Sequence, residues 1–359
     1  MLECRSCGAT CESGADEPWR CPECGHALDF AERPLPDGEK PDVDPLAGLW
    51  AFDAFLPVGR EVTLGEGWTP VAESAAWDAQ FKLDYVFPSG SYKDRGAALT
   101  LSRAAELGVE RVVEDSSGNA GAAIAQYAAR AGVDADIYVP ADAKQSKLDA
   151  IEAAGATPVR VEGSRQDVTD ACVREAVGGE AWYASHAWNP AFYAGTETFA
   201  YELAAQRDWD VPNAVVLPLG HGTLFLGAYR GFEKLRDAGW TDEVPRLLGV
   251  QAEGVAPVVE ELHGPAAAAR NDVADGIQIR EPARFDQLLG AIENSGGDAI
   301  ACGEAATERA LAALHERGFY VEPTSAVAVA GLETYRENGT LDGSEDVVVA
   351  LTGSGLKAD

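Results

Sequence analysis

From Gly96 onward the chain alternates apolar, strand-length runs with alanine-rich helical stretches, and that rhythm leaves few folds open. Helices are expected over residues 97–107, 119–131, 144–154, 167–177, 195–206 and 223–238. Strands are expected over 109–114, 135–139, 157–161, 181–185, 214–217 and 247–251. After a looser stretch from about 255 to 303 the pattern resumes with helix 304–317, strand 319–321, helix 325–337 and strand 346–351. Gly108 and Gly132 close the first two helices, and Pro140 ends a strand. Strands that alternate with helices form parallel sheets covered by helices on both faces. A chain of 359 residues has room for two cores. The expected fold is α/β, with two three-layer domains each built on a parallel sheet, and ligands bind beyond the carboxyl ends of such strands.

The first thirty residues follow another rule. Cys4-x-x-Cys7 and Cys21-x-x-Cys24 are each followed by a glycine, Gly8 or Gly25, which permits the tight turn of a metal knuckle. Four thiolates satisfy tetrahedral Zn²⁺, and so small a unit needs the metal in place of a core. Redox or unpaired thiols are the other reading of these cysteines, and Cys11 and His26 are competing ligands. Cys172 and Cys302 stand alone as core thiols. The expected organisation is a zinc ribbon at 1–30, a proline-rich linker at 31–60 carrying a short helix near 46–55, a large domain from 61–95 and 200–359, and a small substrate-side domain at 96–199.

Charge narrows the partners. Fifty-nine acidic residues against 28 basic ones leave a net charge of −31, which repels nucleic acid and anionic membranes. A surface of this kind suits a salt-rich cytoplasm, where screening weakens self-repulsion. No stretch approaches the roughly twenty apolar residues of a membrane span, and Met-Leu-Glu-Cys opens no secretion signal. A cytoplasmic homodimer acting on a small molecule is therefore expected.

Lys93 lies in Pro-Ser-Gly-Ser-Tyr-Lys-Asp-Arg-Gly, residues 88–96, between a Gly/Ser turn and an alanine-rich helix. A lysine so placed is either solvated or a former of Schiff bases, since a desolvated amine attacks carbonyls. Three loops surround it in the pattern. Ser116, Ser117 and Asn119 gather at a helix N-terminus, where they either cap the helix or seat a carboxylate. Residues 219–223, Leu-Gly-His-Gly-Thr, bring backbone close to a phosphate, with the Thr223 hydroxyl in reach and His221 either a donor or a bystander. A dinucleotide site would need the fuller glycine spacing that is absent here. The third loop, Thr352-Gly-Ser-Gly-Leu-Lys357, ends the last strand.

These pieces together resemble the threonine synthase branch of the fold type II pyridoxal-phosphate enzymes. The turn Gly65-Glu-Gly-Trp-Thr-Pro70, the Lys93 segment, Ser116–Ala120, Gly220–Thr223, Glu322-Pro-Thr-Ser-Ala and the terminal Thr352 loop occur in the family's order, and relatives of this branch also carry an N-terminal zinc ribbon. The resemblance implies that Lys93 holds pyridoxal 5'-phosphate covalently and then acts as the base at the substrate α-carbon. It implies that Asn119 meets the ring hydroxyl, that Gly220, His221, Gly222, Thr223 and Leu224 cradle the phosphate, and that Thr352 faces the ring nitrogen. Ser116, Ser117, Asn119 and Ala120 would hold the substrate carboxylate, with His186 and Phe192 toward its side chain. A neutral hydroxyl at the ring nitrogen favours elimination or replacement over transamination, as in the conversion of O-phosphohomoserine to threonine.

The sequence departs from that family around Asn189-Pro190. Where threonine synthases use an Asn-Ser pair and an arginine for the substrate phosphate, His186-Ala187 and Phe192 stand here, and the phosphate loop reads Gly-His-Gly-Thr-Leu. Without the arginine a dianion loses a bidentate contact, although Arg165 or Lys147 could replace it. Phe192 and Trp188 suit an uncharged side chain. A threonine or serine dehydratase, or a synthase using O-phosphoserine, fits these changes. A nucleotide-dependent enzyme, or a non-catalytic module docking through the ribbon, are readings of other classes.

Overall fold

The computed structural model describes residues 1–14, 17–35, 38–179, 181–265 and 269–357. Pro36 of the proline-rich segment and Asp359, the end of the expected large domain, lie outside them. Two compact units are present. One comprises Met1–Pro36, Asp44–Gly67 and Lys93–Thr196, and the other Asp37–Val43, Trp68–Tyr92 and Glu197–Asp359.

The first unit opens with three short strands, β1 (Leu2–Cys4), β2 (Thr10–Cys11) and β3 (Leu28–Phe30), forming an antiparallel sheet in the order β2-β1-β3. Its small core holds Leu2, Cys4, Cys21 and Leu28. The second half of the expected linker is packed: a 3-10 turn spans Pro45–Phe55, capped by Asp44, and buries Leu49, Trp50, Phe52 and Phe55. Four apolar side chains within seven residues are too many to leave in water.

In the second unit, β4 (Val71–Ser74) and β5 (Ala79–Lys82) form an antiparallel hairpin that the sequence pattern did not suggest. Back in the first unit come α1 (Lys93–Glu106), β6 (Arg111–Glu114), α2 (Asn119–Ala131), β7 (Asp134–Pro140), α3 (Gln145–Ala153), β8 (Thr157–Val161), α4 (Arg165–Val177), β9 (Trp182–Tyr183) and α5 (Pro190–Gln206), within which the unit boundary falls. The strands make one parallel sheet in the order β8-β7-β6-β9. Helix α1 begins at Lys93 itself, a full turn before the expected start, so the lysine is a helical residue.

The second unit continues with β10 (Ala214–Pro218), α6 (Thr223–Asp237), β11 (Arg246–Ala252), α7 (Pro257–His263), α8 (Phe285–Asn294), β12 (Asp298–Cys302), α9 (Glu304–Glu316), α10 (Pro323–Glu337) and β13 (Val347–Ala350). The stretch expected to be loose thus contains two helices and a strand. The strand Asp-Ala-Ile-Ala-Cys is short and poor in β-branched residues, which hides it from a propensity reading. Residues 319–321 make a single bridge, Val321 to Ser354, and no strand. The sheet order is β12-β11-β10-β13-β5-β4, parallel except for the hairpin pair. Strands β10 and β13 are buried at every position, so both faces of the sheet are covered. Alternate residues Val216, Val250, Val349 and Phe81 share one core with α9 and α10. The α/β fold with two parallel sheets is thus as expected.

Candidate active site

In the first unit, strand β6 ends in two buried carboxyl groups, Glu114 and Asp115, just before the Ser116-Ser117 loop. Asp115 accepts hydrogen bonds from the Tyr183 hydroxyl at 2.7 Å, the Thr169 hydroxyl at 2.6 Å and Arg165 Nη2 at 3.1 Å. Burial works to raise its pKa, but Arg165 and the Thr169 hydroxyl outweigh burial and hold it below the ordinary value. The loop that follows does not cap α2 with a side chain. The N-cap residue is Gly118, which makes no side-chain capping bond. Ser116 Oγ accepts the Gly118 N–H at 3.3 Å. Ser116, Ser117 and Asn119 are half-buried and Ala120 is buried. An uncapped helix start beside two hydroxyls suits a carboxylate. The loop lies so close to α2 that a Cβ on Gly121 would stand 1.8 Å from the Ser116 carbonyl oxygen.

Glu114 turns to the segment at 185–192. Its Oε2 accepts the His186 backbone N–H at 3.2 Å, and its Oε1 lies 2.6 Å from His186 Nδ1. Burial, reinforced by Asp115, pushes the Glu114 carboxyl well above its ordinary range. Burial, then the charge of Lys93, lowers His186 to about 3. His186 is therefore neutral near pH 7, with its Nδ1 engaged by the Glu114 carboxyl.

Phe192 requires a correction. It was expected to line a pocket for the substrate side chain, but it has no exposed surface. Its ring covers Gly96, where a Cβ would come within 2.3 Å of Phe192 Cδ1. A Cβ on Gly195 would in turn meet the Arg95 carbonyl oxygen at 2.1 Å. Phe192 thus packs where α1 and α5 cross, one turn along from Lys93, because two glycines let the backbones approach and leave a ring-sized space.

In the second unit the loop after β10 enters α6 through Gly222, at φ 72°, again with no side-chain cap. A Cβ at Gly222 would strike Leu288 Cδ2 at 2.2 Å, so glycine is required twice over, by conformation and by space. Gly220 is buried, His221 half-buried, and Thr223 and Leu224 open the helix. Thr223 Oγ1 is 2.7 Å from the hydroxyl of Tyr92, the residue just before Lys93. Thr352, at the carboxyl end of β13, donates its N–H to Ser325 Oγ at 2.8 Å, and its carbonyl accepts the Tyr92 N–H at 3.0 Å. The start of a long, uncapped helix with a hydroxyl beside it fits a phosphate.

Three groups went unrecognised in the sequence. Glu114 and Tyr92 are two, and the third is Glu66, whose buried carboxylate accepts from Trp50 Nε1 at 2.7 Å, the Leu64 N–H at 2.7 Å and the Tyr127 hydroxyl at 3.1 Å. The adjacent acids ending an apolar strand were the legible signal for Glu114.

The Sγ atoms of Cys4, Cys7, Cys21 and Cys24 all lie within 4.8 Å of one another. The separations Cys4–Cys24, 3.5 Å, and Cys7–Cys21, 3.6 Å, approach the edge of a tetrahedral zinc–thiolate site, about 3.8 Å for Zn–S bonds of about 2.3 Å. The four thiols fit zinc. Cys11 and His26 are not part of the cluster.

Comparison with known proteins places these features in a wider set. The pattern of the family described as pyridoxal-phosphate dependent enzyme matches residues 62–353. The chain is 32% identical to a threonine synthase of Methanocaldococcus jannaschii, covering 99% of this chain and 93% of that one. It is 34% identical to a threonine synthase of Methanosarcina acetivorans, covering 99% and 92%. Among solved structures, the processed form of threonine deaminase isoform 2 from Solanum lycopersicum superposes with a TM-score of 0.71 at 20% identity, over 90% of this chain and 88% of that one.

Proposed function

The chain belongs to the family of pyridoxal-phosphate dependent enzymes and is threonine synthase-like, and from that premise we propose that it converts O-phosphohomoserine and water to threonine and phosphate. The observation that carries this reading is the nearly full-length similarity to two threonine synthases, which includes the ribbon. The large domain, 61–95 with 200–359, is taken as the cofactor side and 96–199 as the substrate side. A cytoplasmic homodimer with a structural Zn²⁺ on Cys4, Cys7, Cys21 and Cys24 completes the proposal.

The cofactor, when bound, supplies an electron sink that makes the substrate α-proton acidic. Lys93 Nζ would hold it, and the same amine would serve as the base at the substrate α-carbon. The N–H groups opening α6, with Gly220, His221, Gly222, Thr223 and Leu224, hold the cofactor phosphate. Asn119 would donate to the ring hydroxyl, and Thr352 would offer a neutral hydroxyl to the ring nitrogen, which a carboxylate would have kept protonated. Ser116, Ser117 and the first N–H groups of α2 hold the substrate carboxylate, with Asn119 and Ala120 shaping that seat. His186 Nε2–H donates to an oxygen on the substrate side chain. Tyr92, through its hydroxyl on Thr223, fixes the rotamer of a phosphate-binding group.

A dehydratase acting on threonine or serine is the second reading. It is favoured by the neutral imidazole of His186 in the segment where threonine synthases place phosphate-binding groups, and by Phe192 where the arginine would stand. Two measurements separate the outcomes. Borohydride should trap the violet-absorbing chromophore on Lys93, and labelling elsewhere sinks the cofactor assignment. A panel of O-phosphohomoserine, threonine, serine and O-phosphoserine at high salt should give threonine and phosphate from the first. Keto-acid from threonine or serine, with none of that product, selects the dehydratase instead.

A further inference from the structure

Among the described residues, the four-cysteine ribbon meets the rest of its own unit chiefly through the aromatic side chain of Trp19. Trp19 lies two residues before Cys21, so the second knuckle holds its backbone. Its ring meets Tyr183 edge-on at 5.5 Å and Trp188 edge-on at 5.0 Å, and it packs against the core formed by Val113, Tyr138, Val168, Cys172 and Tyr183. The Arg20 guanidinium lies over the same ring, 4.6 Å from its centroid. A second tie, Glu17 to Arg103 Nη2 at 2.9 Å, anchors the same stretch to α1.

Both neighbours of Trp19 lead to the substrate side. The hydroxyl of Tyr183 donates to Asp115 at 2.7 Å, and Asp115 is the residue that launches the Ser116-Ser117 loop. Trp188 belongs to the turn that carries His186, and its N–H donates to the Ser185 carbonyl at 3.3 Å. One ring therefore braces the two segments that present a carboxylate seat and a side-chain donor. Aromatic edge contacts fix orientation as well as distance, and Asp115, which Tyr183, Thr169 and Arg165 hold in place, runs directly into the loop.

We propose that Trp19 is a positioning residue for the substrate, acting through Tyr183 and Asp115 on the loop at 116–119. The ribbon is then a working part of the substrate site and not an appendage. The inference rests on the reading that this loop seats the substrate carboxylate, so the test includes a variant of the loop itself.

Holoenzyme carrying Trp19→Ala, Trp19→Phe, Tyr183→Phe or Ser117→Ala is titrated with L-threonine as the amino-acid probe. Binding is followed by the visible band of the bound cofactor, and zinc content is measured on each variant. Trp19→Ala and Tyr183→Phe should each raise the half-saturating concentration about tenfold, as a slightly displaced binding group does, and Trp19→Phe should recover to within about threefold of the wild type. Zinc content should stay constant, and the double variant W19A/Y183F should bind no worse than the weaker single, since the two act in series. Wild-type binding by Trp19→Ala beside weakened Ser117→Ala overturns the relay and leaves the carboxylate seat standing. Strict additivity in the double variant overturns it as well. Wild-type binding by Ser117→Ala removes the seat, and both readings fall. Should Trp19→Ala lose its zinc or its fold, Tyr183→Phe decides, because it keeps the ring contact and cuts only the bond to Asp115; unchanged binding there overturns the relay.

Discussion

His186 and Glu114 meet in a buried place, and the sign of their effect on stability can be worked out. Unfolded, the carboxyl titrates near 4.5 and the imidazole near 6.5; folded, the first is pushed up and the second lowered to about 3. The raised carboxyl keeps its proton above pH 4.5, where the unfolded one has lost it, so its contribution to stability falls as pH rises. Between 4.5 and 6.5 this slope opposes that of the lowered imidazole, whose contribution falls as pH falls. Below 4.5 the unfolded pair takes a second proton that the folded pair refuses down to about 3, so stability falls as pH falls. Urea midpoints across this range should show the consequence in single variants. Glu114→Gln leaves His186 alone, and stability should then decline from pH 6.5 downward. His186→Gln leaves Glu114 alone, and stability should decline from pH 4.5 upward. Slopes identical to the wild type in both variants would show that folding shifts the titration of neither group.

At the scale of elements, α2 and the loop before it form one body, because Gly121 lets the helix lie directly against the Ser116 carbonyl. Gly121→Ala must push the two apart, since backbone at 1.8 Å has no other exit. The expected cost is about 1–3 kcal/mol of stability, together with weaker binding of L-threonine. Ala122→Gly, on the same helix, should cost about 1 kcal/mol through helix propensity and leave binding unchanged. Equal binding by both variants would show that the loop does not follow the helix. The crossing of α1 and α5 obeys the same rule through Gly96 and Gly195, and it explains why Phe192 is packing and not pocket.

For the whole molecule the governing quantity is the charge of −31. The arginines are largely consumed locally, in pairs such as Arg111 with Asp136 and Glu175, and Arg246 with Glu345. The remaining acids repel one another over the surface. We propose that the protein is built for high salt, where the Debye length shrinks from about 10 Å at 0.1 M to about 3 Å at 1 M. The thermal midpoint should rise steadily over that range of KCl, and a flat profile would set the proposal aside. The ribbon belongs to this scale too. Its docking through Trp19 leaves it packed on its own chain, which counts against a module that exists to bind a separate partner.

By itself the sequence determined the alternation of strands and helices, the four-cysteine knuckles and the glycine loops, because each is written locally in period, spacing or turn chemistry. It therefore carried the α/β fold, the family and the candidates Lys93, Ser116, Ser117 and Thr352. It missed β12 and α8, whose small or mixed residues carry weak propensities, and the β4–β5 hairpin, whose four-residue strands are rich in polar residues and whose turn, Ala75-Ala-Trp-Asp78, has no glycine or proline to flag it. Only the tertiary structure decided where Phe192, Glu114 and Trp19 stand. Burial, a 2.6 Å carboxyl–imidazole contact and an edge-on ring depend on which residues meet across distant segments, and no local pattern encodes that meeting.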